Sequence, residues 1–122
     1  MTEIFVFGSN LAGRHGRGAA LFARGNYGAM QGRPIGLQGN SWAIPTKDKN
    51  FKTLPLIVIE EYIEDFLNYA ENHPEDTFLL TAIGTGLAGY NVDQIRGLFK
   101  GKEIPKNIEY IGDSSKNIIR RK

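Results

Sequence analysis

The sequence predicts an α/β fold, a three-layer sandwich around a mixed and partly parallel sheet, in a single domain of 122 residues. Strand-like and helix-like segments alternate along the whole chain. This pattern is typical of crossover connections between parallel strands. Two of the strands are almost continuously apolar, as in strands that are covered on both faces. One long segment has the apolar spacing of an amphipathic helix.

The first predicted strand, loop and helix occupy residues 2–28. The run Ile-Phe-Val-Phe places a strand at Thr2–Phe7, and the loop Gly8–Gly18 alternates glycines with polar and basic residues. A helix follows at about Ala19–Gly28, and it is weak by propensity because it contains two glycines. Its inward-facing residues are expected to be Ala20, Leu21 and Ala23.

The next segment is predicted to be irregular at 29–39, where glycine and proline interrupt any regular pattern. A short strand at 40–45 is expected to end at Pro45, since proline cannot donate to a central ladder, and to place Trp42 in the core. The polar run Thr46–Asn50 is typical of an exposed turn.

The second half of the chain contains the clearest helix pattern. From Pro55 to the segment around Pro74, apolar residues recur at three- to four-residue spacing, with acidic residues on the other face. A buried strand follows at Thr77–Ile83 and ends in a second glycine-rich loop. A helix then begins at a capping-box pattern, Asn91 with Gln94, and stops at Gly101.

The last predicted strand, Ile108–Gly112, is followed by a polar and basic tail, of which residues 114–122 are expected to be flexible. Composition predicts a cytoplasmic protein, because no apolar run approaches the roughly 20 residues of a membrane span and cysteine is absent. Without cysteine and with two distant histidines, no metal site is expected, and no cofactor is predicted.

Each of the two glycine-rich loops runs into the N-terminus of a helix. In open α/β sheets, ligands bind beyond the carboxyl ends of the strands, close to a reversal of strand order. If the two strands are neighbours, the loops form opposite walls of one cleft. Backbone amides and helix dipoles on both walls would then suit a ligand with two phosphates.

The loops do not match the standard nucleotide motifs. Neither contains the P-loop pattern Gly-x4-Gly-Lys followed by serine or threonine. Gly84–Gly89 fits the spacing Gly-x-Gly-x-x-Gly, but no acidic residue ends a following strand about 20 positions later, as a Rossmann fold requires. Both motifs are excluded.

The same loops resemble those of macro domains, the ADP-ribose-binding α/β sandwiches. Asn10–Ala20, an asparagine followed by a glycine-rich helix entry, is similar to their first loop. Ile83–Tyr90 is similar to their second loop, which wraps the distal ribose and diphosphate. Pro45–Lys47 resembles a Pro-Thr-Lys segment of the branch that removes ADP-ribose from glutamate or DNA bases. The match in order and spacing covers about Phe5–Phe99, as in short stand-alone proteins of phages and bacteria.

The resemblance implies a minimal macro-domain fold that binds ADP-ribose, a related nucleoside diphosphate ribose or an ADP-ribosylated macromolecule. Hydrolysis of an ADP-ribosyl bond is a second implied activity, with Lys47 as nucleophile or electrostatic group and Asn10 orienting the distal ribose. The implied ligand-binding residues are Gly8, Ser9, Asn10, Gly13, Gly16, Arg17, Gly18, Ala19, Gly84, Thr85, Gly86, Leu87, Ala88, Gly89 and Tyr90.

The chain departs from the macro-domain pattern at two places. In the hydrolysing branch a lysine acts with an acidic residue of the second loop, where this chain has Ala88, and Asp48 is the candidate substitute. Macro domains also usually carry an early Gly-Asp pair whose aspartate binds adenine. Here Gly112-Asp113 is the candidate for that contact.

Two other classes of function stay open. A small nucleic-acid-binding module is the main alternative, because the net charge is +2 and basic residues occur early and late in the chain. The residues concerned are Arg14, Arg17, Arg24, Arg33, Arg120, Arg121 and Lys122. The other alternative is a partner-binding protein in which the glycines only permit tight packing, and it predicts an exposed apolar patch.

Overall fold

A five-stranded sheet forms the centre of the computed structural model, which describes residues 2–119. Its strands in chain order are β1 (Glu3–Asn10), β2 (Gly36–Gln38), β3 (Ser41–Lys47), β4 (Thr77–Leu80) and β5 (Ile108–Tyr110). The order across the sheet is β2-β3-β1-β4-β5. Strands β3, β1, β4 and β5 pair in parallel, whereas β2 is antiparallel to β3. The prediction of an α/β fold with a mixed, partly parallel sheet is confirmed.

Helices cover both faces of this sheet: α1 (Gly18–Asn26), α2 (Leu56–Glu71) and α3 (Val92–Phe99). Phe5 and Phe7 of β1 pack against α1, whereas Ile4 and Val6 belong to the larger core shared with α2 and α3. The division arises because successive side chains of a strand point to opposite faces. Among residues 2–119, no helix combines the length and the apolar character needed to cross a membrane.

Helices α2 and α3 begin and end close to the predicted positions. Helix α2 follows Pro55, and its inward stripe consists of Ile59, Ile63, Phe66, Leu67 and Ala70. At the start of α3, the Asn91 side chain accepts a hydrogen bond from the Gln94 amide at 2.8 Å. The Gln94 side chain accepts one from the Asn91 amide at 2.9 Å, so the capping box is confirmed.

Helix α1 lies where a helix is predicted, but one of the three residues predicted to face inward does not do so. Ala20 and Ala23 are buried, whereas Leu21 is 48% exposed. Residues three apart lie on the same face of a helix, so a stripe through Ala20 and Ala23 leaves Leu21 on the outside. The prediction that Leu21 faces inward is therefore wrong.

Strands β1 and β3 run further than predicted, to Asn10 and Lys47. Their parallel pairing continues through Ser9 and Pro45, where the register shifts so that Asn10 pairs with Lys47. Proline is tolerated beside such an irregularity, because the regular ladder is already interrupted there. The prediction that this strand ends at Pro45 is wrong, and Thr46 is buried in β3 rather than exposed in a turn.

The segment predicted to be irregular contains β2, which a two-residue loop, Gly39-Asn40, connects to β3. Gly39 has a φ of 56°, which suits a tight hairpin turn. Strands β4 and β5 are shorter than predicted and end at Leu80 and Tyr110.

After β5, a short 3-10 helix at Ser114–Lys116 leads to Ile118 and Ile119, which are buried in the larger core. The segment predicted to be a polar tail therefore contributes to the core as far as residue 119. Residues 120–122 lie outside the described part of the chain. The flexibility expected for 114–122 stays a prediction.

Candidate functional site

The carboxyl ends of β1 and β4 lie where the order of the sheet reverses. The chain passes from β1 to β3 on one side and then crosses back to β4 on the other side of β1. Loops that leave such a point in opposite directions leave a crevice between them, which is the usual ligand position in open α/β sheets. We name residues 11–17 the first loop and residues 81–91 the second loop.

A cavity of about 850 Å³ occupies this crevice. At its base, β1 and the second loop approach closely, since a Cβ added to Gly8 would lie 3.8 Å from the amide nitrogen of Gly84. The structure thus brings both glycine-rich loops to one cavity. It is lined by Gly8, Ser9, Asn10, Arg14, Gly16, Arg17, Gly18, Ala19, Ala20, Thr46, Lys47, Phe51, Thr81, Ala82, Ile83, Gly84, Thr85, Gly86, Leu87 and Ala88.

The first wall of the cavity presents a run of unpaired backbone amides. Among the described residues, the five consecutive amides Gly16–Ala20 donate no hydrogen bond, and the first intrahelical bond runs from the Leu21 amide to the Arg17 carbonyl. The N-cap residue Arg17 provides no side-chain cap, and the first turn of α1 has no acidic residue. Such a helix start carries partial positive charge and attracts anions.

The second wall presents a shorter run of the same kind. Within residues 2–119, the amides of Gly86, Leu87 and Ala88 donate no hydrogen bond, although their neighbours do. The Gly89 amide donates to the Gly86 carbonyl and the Tyr90 amide to the Gly84 carbonyl, both at 3.0 Å. These bonds fold the loop, and Gly86, Leu87 and Ala88 line the cavity.

The charges at the cavity are of one sign. Arg14, Arg17 and Lys47 line it, and none of its lining residues in the described part of the chain is acidic. Nor does any of the three cations form an ion pair within residues 2–119. A low-dielectric crevice with unpaired amides and uncompensated cations concentrates anions.

Asn10 lines the cavity, but its side chain already has structural partners. Its Nδ2 donates to the Arg14 carbonyl at 2.9 Å, and its Oδ1 accepts from the Arg14 amide at 3.1 Å. Two hydrogen bonds to one residue close the first loop over the end of β1. One Nδ2 proton remains for a ligand.

The hydroxyl groups at the cavity are also engaged. Ser9 donates to the Pro34 carbonyl at 2.6 Å, and Thr85 donates to the Ala82 carbonyl at 2.7 Å. Thr46 donates to the Ser9 carbonyl at 3.3 Å. Their protons hold backbone in place, so the donors left for an anion are mainly the backbone amides and the three cationic side chains.

Three of the sequence-predicted site residues do not line the cavity: Gly13, Gly89 and Tyr90. Gly13 packs against another glycine, since an added Cβ would lie 2.8 Å from backbone atoms of Gly32. Tyr90 donates its hydroxyl proton to the Leu54 carbonyl at 2.7 Å, which joins the second loop to the segment before α2. These residues shape the loops rather than the cavity surface.

The candidate substitutes for the missing carboxylates also lie outside the cavity lining. Asp48 accepts hydrogen bonds from the amides of Asn50 and Lys52 at 2.8 and 3.0 Å, so it closes its own turn. Asp113 caps the 3-10 helix after β5, and hydrogen bonds from the Ser115 hydroxyl and amide hold its pKa below the ordinary value.

His15 of the first loop is completely buried and does not line the cavity. Its Nε2 lies 3.1 Å from both the Arg33 carbonyl and Gln38 Oε1. Both are acceptors, so Nε2 carries a proton. The His15 amide donates to Gln31 Oε1 at 2.6 Å, and these bonds fix the first loop against the segment before β2.

Sequence reasoning missed Phe51, Thr46 and Thr81 as lining residues. Thr81 donates its hydroxyl proton to the Val6 carbonyl at 2.7 Å, directly after β4. Two of them had a signal in the sequence: Phe51 is an aromatic residue directly after a polar run, and Thr46 belongs to the segment Pro45–Lys47. Thr81 is not distinguishable by type from the other threonines of the chain.

No protein-family model matches the chain, and comparison with curated proteins and with solved structures found no match either.

Proposed function

We propose that this chain is a minimal macro-like domain that binds ADP-ribose, or a related nucleoside diphosphate ribose, in the cavity between the first and second loops. One observation carries the proposal. Two runs of residues with unpaired backbone amides, Gly16–Ala20 at the start of α1 and Gly86–Ala88 in the second loop, line the same cavity. Unpaired amides at a helix N-terminus are a preformed site for phosphate oxygens.

The presence of two runs favours a diphosphate over a single phosphate. One anion can satisfy one loop, but a pair of linked phosphates can accept hydrogen bonds from both walls at once. Backbone donors need no side-chain ordering on binding, so they lose less conformational entropy than long cationic side chains do. The volume of about 850 Å³ lies within the range of roughly 300–1,000 Å³ that is usual for small-molecule sites.

The charge of the lining supports the same class of ligand. Arg14, Arg17 and Lys47 supply positive charge, and none of the lining residues within residues 2–119 is acidic. The lack of a lining carboxylate also limits the proposal to binding, because a hydrolytic reaction would need a general acid or base to act with Lys47. Hydrolysis of an ADP-ribosyl bond therefore stays a prediction, and unchanged release of ADP-ribose by Lys47→Ala would eliminate that residue's role.

Isothermal titration calorimetry with ADP-ribose, ADP and NAD tests the proposal. We expect ADP-ribose to bind more tightly than ADP, because it adds a distal ribose beyond the diphosphate. Equal affinity for ADP and ADP-ribose would contradict the assignment of the distal ribose, and no heat with either would contradict the phosphate site. A matched series with short DNA and RNA separates the nucleic-acid alternative, whose affinity would fall steeply with salt.

A further inference from the structure

Phe51 has an unusual backbone conformation for its residue type. Its φ is 63°, and among the described residues it is the only non-glycine residue with a positive φ. Left-handed backbone is unfavourable at such a residue and persists where surrounding contacts hold it. Here the Phe51 amide donates to the Asp48 carbonyl at 3.1 Å, and the Asp48 amide donates to the Lys52 carbonyl at 2.7 Å.

This conformation presents an apolar ring at the cavity. Phe51 is 47% exposed and lines the cavity, as does Lys47 at the end of β3. A phenylalanine of this exposure loses the favourable burial that such a side chain ordinarily gains. The turn thus combines backbone strain with an exposed aromatic side chain at one edge of the ligand site.

A second exposed apolar side chain lines the same cavity from the second loop. Leu87 is 68% exposed. The two segments are joined next to these residues, because the Thr53 hydroxyl donates to the Ala88 carbonyl at 2.7 Å. Thr53 is two residues after Phe51, and Ala88 directly follows Leu87, so both lining residues lie close to the point where the two segments are joined.

We propose that Phe51 and Leu87 form a nucleobase-binding subsite, in which the base stacks on the Phe51 ring. The cavity then has a polar part, made of amides and cations, and an apolar edge. A ligand that matches both carries phosphate at one end and a flat, weakly polar ring at the other. This inference rests on the proposed function and makes the base of the ligand, rather than its phosphates, the group that Phe51 recognises.

Calorimetry with ADP and pyrophosphate separates the two parts of the site. Phe51→Asn removes the ring but keeps a residue type that tolerates left-handed backbone. Because stacking of a base on an aromatic side chain contributes to affinity and the variant lacks the ring, we expect it to bind ADP roughly tenfold more weakly. Its affinity for pyrophosphate should equal that of the unchanged protein.

Two further variants make the result specific to the ring. Phe51→Trp should retain ADP affinity, and its added fluorescence should be quenched by ADP and not by pyrophosphate. Leu87→Ala should weaken ADP binding less than Phe51→Asn does. Together these outcomes would support a nucleobase-binding subsite at Phe51 and Leu87.

Three results would overturn the inference. Equal loss of ADP and pyrophosphate affinity in Phe51→Asn would mean that Phe51 acts only through the shape of its turn. Equal affinity of the unchanged protein for ADP and pyrophosphate would mean that no base is held, although the anion site would stand. If neither compound binds, the proposed function itself fails.

Discussion

The first and second loops look alike in sequence, but each contains two physically different kinds of glycine. In each loop one glycine has a positive φ and no room for a side chain: Gly13 against Gly32, and Gly84 against Ile95. Each loop also contributes one lining glycine without positive φ whose added Cβ would meet no heavy atom within 4 Å: Gly16 and Gly86. The first kind serves packing, whereas the second leaves backbone open to a ligand.

This difference separates the two explanations of the glycine-rich loops. If glycine served only packing, an alanine would be tolerated at Gly16 and Gly86 without any loss of function. If glycine also admits a ligand to bare backbone, the same alanine would leave the fold intact and weaken binding. Substitutions at the two kinds of glycine therefore test stability and binding separately.

We expect the largest effect from Gly13→Ala. Its new Cβ would lie 2.8 Å from two backbone atoms of Gly32, at a φ of 71°, and backbone cannot move aside cheaply. Strain and overpacking together should lower the free energy of unfolding by about 3 kcal/mol, measured by urea denaturation. Gly25→Ala, in α1 with no neighbour within 4 Å, is the matched control and should be neutral or stabilising. Equal effects of the two variants would contradict the packing role of Gly13.

Gly84→Ala should lower the free energy of unfolding less than Gly13→Ala does, because the atom nearest to the new Cβ is the end of a side chain and not backbone. The new Cβ would lie 2.6 Å from Ile95 Cδ1, at a φ of 75°. We expect a loss of about 2 kcal/mol in the free energy of unfolding. Ile95→Val removes that methyl group, so the double variant should be more stable than the sum of the single effects predicts. Strict additivity would mean that the contact with Ile95 does not limit the substitution.

Gly16→Ala and Gly86→Ala should weaken ligand binding and leave the free energy of unfolding almost unchanged. Each should change the free energy of unfolding by no more than about 0.5 kcal/mol, as surface substitutions usually do. Each should weaken ADP-ribose binding by roughly tenfold, about 1.4 kcal/mol, because a methyl group intervenes between phosphate and backbone. Gly97→Ala, an exposed position in α3 with no neighbour within 4 Å, is the control for binding. Unchanged affinity in both loop variants would leave packing as the sole role of the loops.

The contrast between the glycines also shows which features can be predicted from sequence. Helix α2 and the Asn91 capping box were predictable, because apolar spacing and caps depend on residues a few positions apart. The cavity was predictable because parallel strands place their carboxyl ends at one edge of the sheet. By contrast, the role of Gly13 depends on Gly32, and the extension of β3 depends on its pairing with β1. Such non-local contacts leave no local pattern in the sequence.

The position of Phe51 at the cavity also depends on contacts that are not visible in the local sequence. Phe51 lies in a polar segment that reads as an exposed turn, and its residue type gives no sign of a φ of 63°. Its place at the cavity follows from the turn closed by Asp48 and from the bond between Thr53 and Ala88. Sequence periodicity does not reveal any of these contacts.

The smallest effect on ADP-ribose binding is expected when a cationic side chain at the cavity, such as that of Lys47, is removed. Lys47 is partly buried and lines the cavity, whereas Lys49 is exposed and does not. Since partly screened charge pairs contribute about 1 kcal/mol or less, Lys47→Ala should weaken ADP-ribose binding by about fivefold and reduce its salt dependence. Lys49→Ala should change neither quantity. A larger loss in Lys47→Ala than in Gly86→Ala would mean that side-chain charge, rather than open backbone, dominates recognition of the diphosphate.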